Sequence, residues 1–132
     1  MKKELEDKLF NKYPKIFRQR KLPMTETCMN WGIECGDGWY NILDMLCKQI
    51  QWHIDVNLND DEDGEEIQVE AIQIKEKFGS LRFYHSGGNK FIYGMVAMAE
   101  AMTMCTCESC GAPGTQSNSK WITTLCEDCR KG

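Results

Sequence analysis

The sequence predicts an α+β domain, with helices packed on a small antiparallel β-sheet and a four-cysteine ribbon closing the C-terminus. Three observations carry this: two long stretches of helical apolar spacing, two alternating segments on either side of Gly79, and the Cys-x2-Cys pairs at 107–110 and 126–129. The chain has 132 residues, enough for one compact domain with a small appendage and too few for two full-sized ones. We expect a core over residues 1–104 and a ribbon over 105–132 that packs on it.

From the N-terminus, Leu5, Leu9 and Phe10 fall on one side of a short helix that Pro14 limits. The basic segment RQRKLPM at 18–24, broken by Pro23, reads as a connector, and ETCMNWGIECGDGWY at 26–40 reads as irregular, ordered structure. Asp37 is placed to cap the next helix, whose stripe runs through Trp39, Ile42, Leu43, Leu46, Ile50 and Ile54. Cys47 shares that stripe as a buried thiol, and Trp39 and Trp52 are expected at or near the core. Further on, Ile67, Val69 and Ala71 alternate before the apolar phase slips to Ile72 and Ile74, which predicts a bulge. Gly79 permits a turn, and LRFYH returns with Leu81 and Phe83 on one face and Arg82 and Tyr84 on the other, a hairpin. Asn89 caps a helix from Lys90 to about Met104 that is apolar nearly all round, so it is expected to be central, with Met95, Met98, Met102 and Met104 filling core rather than lining an adaptable binding groove, the alternative reading.

Apolar residues make up 42% of the chain, and no apolar run is long enough to cross a bilayer. The opening MKKELEDKLF threads charges through its apolar residues and so does not read as a secretory signal. The expected setting is cytoplasmic and reducing, where the eight cysteines serve as metal ligands or buried thiols rather than disulfides. The formal net charge is −4, but DVNLNDDEDGEE at 55–66 holds seven acids and no base. That stretch reads as a solvated acidic loop, lacking the spacing of a calcium loop.

Cys107, Cys110, Cys126 and Cys129 form two short knuckles separated by fifteen residues, the spacing of a tetrahedral zinc ribbon. Gly111 lets the first knuckle turn tightly. Four thiolates complete the tetrahedron and leave no position for water or substrate, so a single zinc there is expected to be structural. Cys105 reads as a spare thiol, and Cys28 and Cys35 have no evident partners. The two histidines, His53 and His85, lie in no recognised catalytic frame, and phosphate-loop and nucleophile-elbow motifs are absent. The sequence thus supports no enzyme and no catalytic residue.

One segment stands out against the acidic background: IKEKFGSLRFY, at 74–84. With the strand phase set by Ile72 and Ile74, Lys75 and Lys77 point away from the core, and across the turn Arg82 and Tyr84 point the same way. Like charges on neighbouring strands repel, and an anion relieves them. That anion is either internal (Glu70, Glu76 or the acidic loop) or a phosphate-bearing ligand held by the arginine fork, the lysine charges and the tyrosine face. The adjacent loop with Ser86 and Asn89 adds a helix start as a phosphate seat.

LFNKYPKIF, CGDGWYNILD, IKEKFGSLRFY and CESCGAPG through WITTLCEDC together resemble a family of small proteins encoded mainly by bacteriophages and some bacteria. The resemblance spans nearly the whole chain and implies a one-piece domain with a zinc ribbon in a phage setting. It carries no catalytic residues. By analogy with phage proteins of this size it suggests two counter-defence roles in the host cytoplasm: trapping a nucleotide immune signal, or plugging a host protein. The expected function is therefore a non-catalytic binder of an anionic nucleotide-type ligand. The alternative is a zinc-ribbon adaptor or inhibitor that binds a host protein or nucleic acid.

Overall fold

A computed structural model describes residues 1–57 and 68–132. Helix α1 (Lys3–Lys12) is followed by 3-10 turns, a two-residue strand β1 (Ile33–Glu34) and the long helix α2 (Tyr40–Asn57). The hairpin β2 (Glu70–Lys77) and β3 (Ser80–Ser86) leads into α3 (Lys90–Thr103), and the C-terminus holds β4 (Thr115–Gln116), β5 (Thr124–Leu125) and the short α4 (Glu127–Lys131). The α+β class and the C-terminal four-cysteine cluster are both present. The main sheet has the order β1-β2-β3 and is mixed, because β1 runs parallel to β2, with Ile33 opposite Ile74 and Glu34 opposite Lys75. Two residues are too few for an alternation to be read, so this third strand was hidden in the glycine- and cysteine-rich segment.

The core lies between one face of the sheet and the helices. Leu9, Phe17, Trp39, Leu43, Ile50, Ile54, Ile74, Leu81 and Ile92 are fully buried within it. Cys47 joins them, as its place on the α2 stripe predicts. Trp52 does not: it is 57% exposed, because two positions beyond Ile50 is about 200° round the helix. Asp37 sits in a 3-10 turn ahead of α2, and its carboxylate accepts the Lys2 amide at 2.8 Å. It ties the N-terminus down where we expected it to cap α2. Most of the acidic stretch, 58–66, and Ile67 lie outside the described residues.

The register of β2 against β3 shifts between Ala71 and Gln73, which puts the bulge at Ile72. The bulged carbonyl accepts from the Thr27 hydroxyl at 3.3 Å. Arg18 grips the Glu70 carboxylate with two donors, Nη2 to Oε1 at 2.9 Å, and holds that carboxyl below its usual range. Asn89 caps α3 by accepting the Ile92 amide at 3.1 Å. Helix α3 also seals the sheet edge: Glu100 accepts the Phe83 amide at 2.9 Å and Thr103 the Leu81 amide at 3.0 Å. It is nonetheless not enclosed. Ile92, Val96, Ala99 and Thr103 are buried, while Phe91, Met98, Met102 and Met104 are exposed. Met98, Met102 and Met104 are therefore surface rather than core filler, while Met95 is partly buried against the core.

The hairpin closes through Phe78 and Gly79, both at positive φ (54° and 80°), the two-residue turn whose hand matches strand twist. Phe78 is a bulky residue in a conformation that favours Asn or Gly, and it is 65% exposed. Phe78→Asn should raise stability by about 0.5–1 kcal/mol, measurable as an increased denaturant midpoint at unchanged m.

Candidate functional site

The ribbon is built from two tight turns. In the first, the Cys107 amide donates to Ala112 O (2.7 Å) and the Gly111 amide to Cys107 O (2.9 Å). In the second, Cys126 caps α4, its Sγ accepting from the Cys129 amide at 3.4 Å. The β4–β5 pair joins them. The four Sγ atoms of Cys107, Cys110, Cys126 and Cys129 all lie within 4.8 Å of one another, with Cys110 and Cys126 at 3.6 Å. Sulfurs about 2.3 Å from one tetrahedral ion sit about 3.8 Å apart, so the cluster fits a metal ion. A disulfide would need sulfurs about 2 Å apart, and all eight cysteines are free thiols. Cys28, Cys35, Cys47 and Cys105 lie outside the cluster. Burial pushes the Cys35 thiol up to about 12 and raises Cys47 as well, keeping both protonated.

Within the cluster, burial opposes ionisation of Cys107. Hydrogen bonds from the backbone at Cys126, Cys110 and Ser109 outweigh it and bring the thiol down to about 6. Cys129 is pushed up to about 12, first by its hydrogen bond with the Cys126 thiol and then by those with Cys110 and Cys107. Cys129 thus holds its proton, which a bound metal ion must displace. Metal affinity should fall as pH drops, and Cys107→Ser or Cys126→Ser should release about one ion per chain and melt at least the ribbon. Metal analysis and thermal denaturation across pH check both, and full retention of metal and Tm in the serine variants would remove the assignment.

The ribbon is seated on the core by backbone contact. Gly38 N donates to Glu108 O at 2.7 Å, Gly36 N to Glu108 Oε2 at 2.9 Å, and the buried Trp39 indole to Thr106 O at 2.9 Å. A β-carbon on Gly38 would lie 2.1 Å from Cys107 O and 2.6 Å from Gly111 N, an overlap that moving a side chain cannot relieve. On the other flank, Thr124 Oγ1 donates to Gly79 O at the hairpin turn. Gly38→Ala should therefore lift the first knuckle and cost about 1–3 kcal/mol, read by denaturation, and should also speed loss of metal to a chelator.

The hairpin brings together most of the cationic residues singled out from sequence. Lys75 stands directly opposite Arg82, with Gln73 opposite Tyr84 and Lys77 opposite Ser80. The Lys75 ammonium lies 6.0 Å from the Tyr84 ring centre, and that of Lys77 5.7 Å from the Phe78 ring. Arg82 donates to two neutral oxygens, Ser80 Oγ at 2.5 Å and Leu81 O at 3.2 Å. The internal counter-anions are otherwise engaged: Glu70 by Arg18, and Glu76 by the Gly79 amide at 3.1 Å. Glu34 is in register beside Lys75, but among the described residues Lys75, Lys77 and Arg82 form no ion pair.

Ser86 lies apart, opposite Glu70 at the far end of β3. It is about 13 Å along the strand from Arg82 at roughly 3.3 Å per residue. Asn89 caps α3 and meets His53 Nε2 at 3.3 Å, so its side chain is engaged within the fold. What sequence reasoning missed is a groove of about 420 Å³ over the edge of β3, lined by Arg82, Tyr84, His85, Tyr93 and Glu100. Tyr84 and Tyr93 are both well exposed there, and His85 carries a buried Nδ1 without a hydrogen-bond partner. The groove needs β3 and α3 side by side, a juxtaposition that no local spacing announces. Comparison with protein-family models, curated proteins and solved structures finds no match for the chain.

Proposed function

We propose that this chain is a non-catalytic binding protein in which one structural zinc closes the fold and the cationic hairpin captures an anionic, nucleotide-type ligand. The observation that carries the reading is Lys75 directly opposite Arg82 with no ion-pair partner among the described residues. Two cations face to face across strands oppose folding, and a phosphate between them turns that penalty into affinity. Beside them, the Arg82–Tyr93 groove supplies the exposed faces of Tyr84 and Tyr93 for a base. Lys75, Lys77, Arg82 and Tyr84 are the ligand residues in this reading, and Ser86 contacts only a ligand extended along β3. Zinc is the ion of choice for four thiolates, and a filled tetrahedron leaves it no site for chemistry. In a phage setting such a protein would serve as a sponge for a host immune nucleotide. Among the described residues no helix is long and apolar enough to cross a membrane.

Titration calorimetry against a panel of mono-, di- and cyclic nucleotides should find a ligand that is returned chemically unchanged. Arg82→Ala should weaken it by about 1.5–3 kcal/mol with the fold intact. Salt dependence separates a nucleotide from a nucleic acid: a long strand loses affinity steeply, with the slope falling by about one counterion per lysine removed. Nucleotide and nucleic-acid binding untouched by the triple change Lys75→Ala, Lys77→Ala, Arg82→Ala would overturn the proposal.

A further inference from the structure

The open side of α2 and α3 carries an almost wholly apolar groove. A groove of about 570 Å³ runs between the two helices, lined chiefly by Ile42, Met45, Met95, Met98 and Met102, with Gly94 on its wall. Met45, Met98 and Met102 are 52%, 63% and 48% exposed. Helix α3 carries only two charged residues, Lys90 at its start and Glu100, whose carboxylate is turned onto the β3 edge. A helix apolar on both sides belongs inside an assembly, yet this one is covered on one side only.

Gly94 sharpens the point. A mid-helix glycine weakens a helix relative to alanine, and something ordinarily requires it. Here a β-carbon would meet nothing within 4 Å, so nothing in this chain's described structure requires it. Close approach by another molecule would require it. Met98 lies one turn further along α3 on the same groove, so a two-fold axis passing between positions 94 and 98 sets each copy's Met98 over the other's Gly94, the reciprocal fit of an isologous contact. Charge favours the same occupant: copies of a chain with net charge −4 repel unless they meet through an uncharged face. In extent, α3 is about 21 Å long and lies beside a neighbour about 8–10 Å away. A face two helices wide, about 21 by 20 Å, presents roughly 400 Å² in projection, to which its protruding methionines add, the size of a small, reversible dimer contact. The acidic stretch of this chain, with Leu58 as the one apolar residue in 58–66, has too little apolar surface to fill the groove.

We propose that two copies of this chain associate through the open face of α2 and α3, with Met98 of each seated against Gly94 of the other. The inference stands independently of the ligand reading. Sedimentation velocity of the metal-loaded chain over a dilution series should give a monomer–dimer equilibrium. Met98→Lys sets like charges face to face and should raise the dimer dissociation constant by roughly a hundredfold or more, with unchanged circular dichroism. Gly94→Ala separates contact from folding: measured where both forms are monomeric it should raise Tm, yet it should weaken the dimer. A wild-type chain that stays monomeric at every concentration overturns the proposal. So does a dimer that both variants leave intact, or a monomer whose groove takes an amphipathic peptide instead.

Discussion

The backbone of the first cysteine knuckle lies directly on the backbone of Gly36 and Gly38, and most of the architecture depends on that contact. It is made of a main-chain hydrogen bond from Gly38 to Glu108 at 2.7 Å, a second from the Gly36 amide to the Glu108 carboxylate at 2.9 Å and, at Gly38, an approach that excludes even a methyl group. Trp39 follows at once, buried completely and bonded to Thr106, so the start of α2 and the start of the ribbon are fixed by the same few residues. At the other flank Thr124 reaches the turn of the hairpin. A metal ion held by Cys107, Cys110, Cys126 and Cys129 would thus fix the seat of α2 and the tip of the β2–β3 hairpin, and its binding free energy would be available to folding of the core as well as of the ribbon.

The same constraint explains an orientation that would otherwise be arbitrary. With the hairpin tip held by the ribbon, β3 becomes the outer strand, and its free amides at Leu81 and Phe83 need acceptors. Helix α3 provides them with Glu100 and Thr103, and in doing so it places its other side outward. Satisfying polar groups at the sheet edge and exposing apolar groups on α3 are therefore two results of one placement. A single helix cannot line the strand edge with its polar positions and also bury Phe91, Met98 and Met102.

What was legible in the sequence was whatever obeys a short period or a fixed spacing. The clustering of four cysteines, the bulge between Ala71 and Gln73, the hairpin faces, the Asn89 cap and the buried Cys47 follow from local pattern, and the structure has each of them. What was hidden depends on partners distant in sequence. β1 is too short to alternate and exists because Ile33 finds Ile74. Asp37 has the chemistry of a helix cap, but the Lys2 amide reaches it first. The methionines of α3 read as core because hydropathy counts apolar residues without knowing which side a neighbour covers. The groove between Arg82 and Tyr93 likewise arises only when β3 and α3 meet.

Local rules that a sequence breaks without a structural reason are informative, since a consistent sequence would have obeyed them. Three such breaks stand out. Phe78 occupies a left-handed turn position that Asn would fill with less strain, Lys75 faces Arg82 across the strands, and Gly94 interrupts a helix in open space. What surrounds them does not remove the cost: Phe78 is largely exposed with only the Lys77 ammonium near its ring, the two cations meet a ring and neutral oxygens but no carboxylate among the described residues, and a β-carbon at Gly94 would meet nothing. By contrast, the unusual residues at the ribbon seat, Gly36 and Gly38, are fully explained by what touches them. The breaks fall on two surfaces, the cationic hairpin and the open side of α3. A sequence selected only for folding would have removed them cheaply, by one substitution each, so their presence on those two surfaces is the strongest physical argument that both are used in binding.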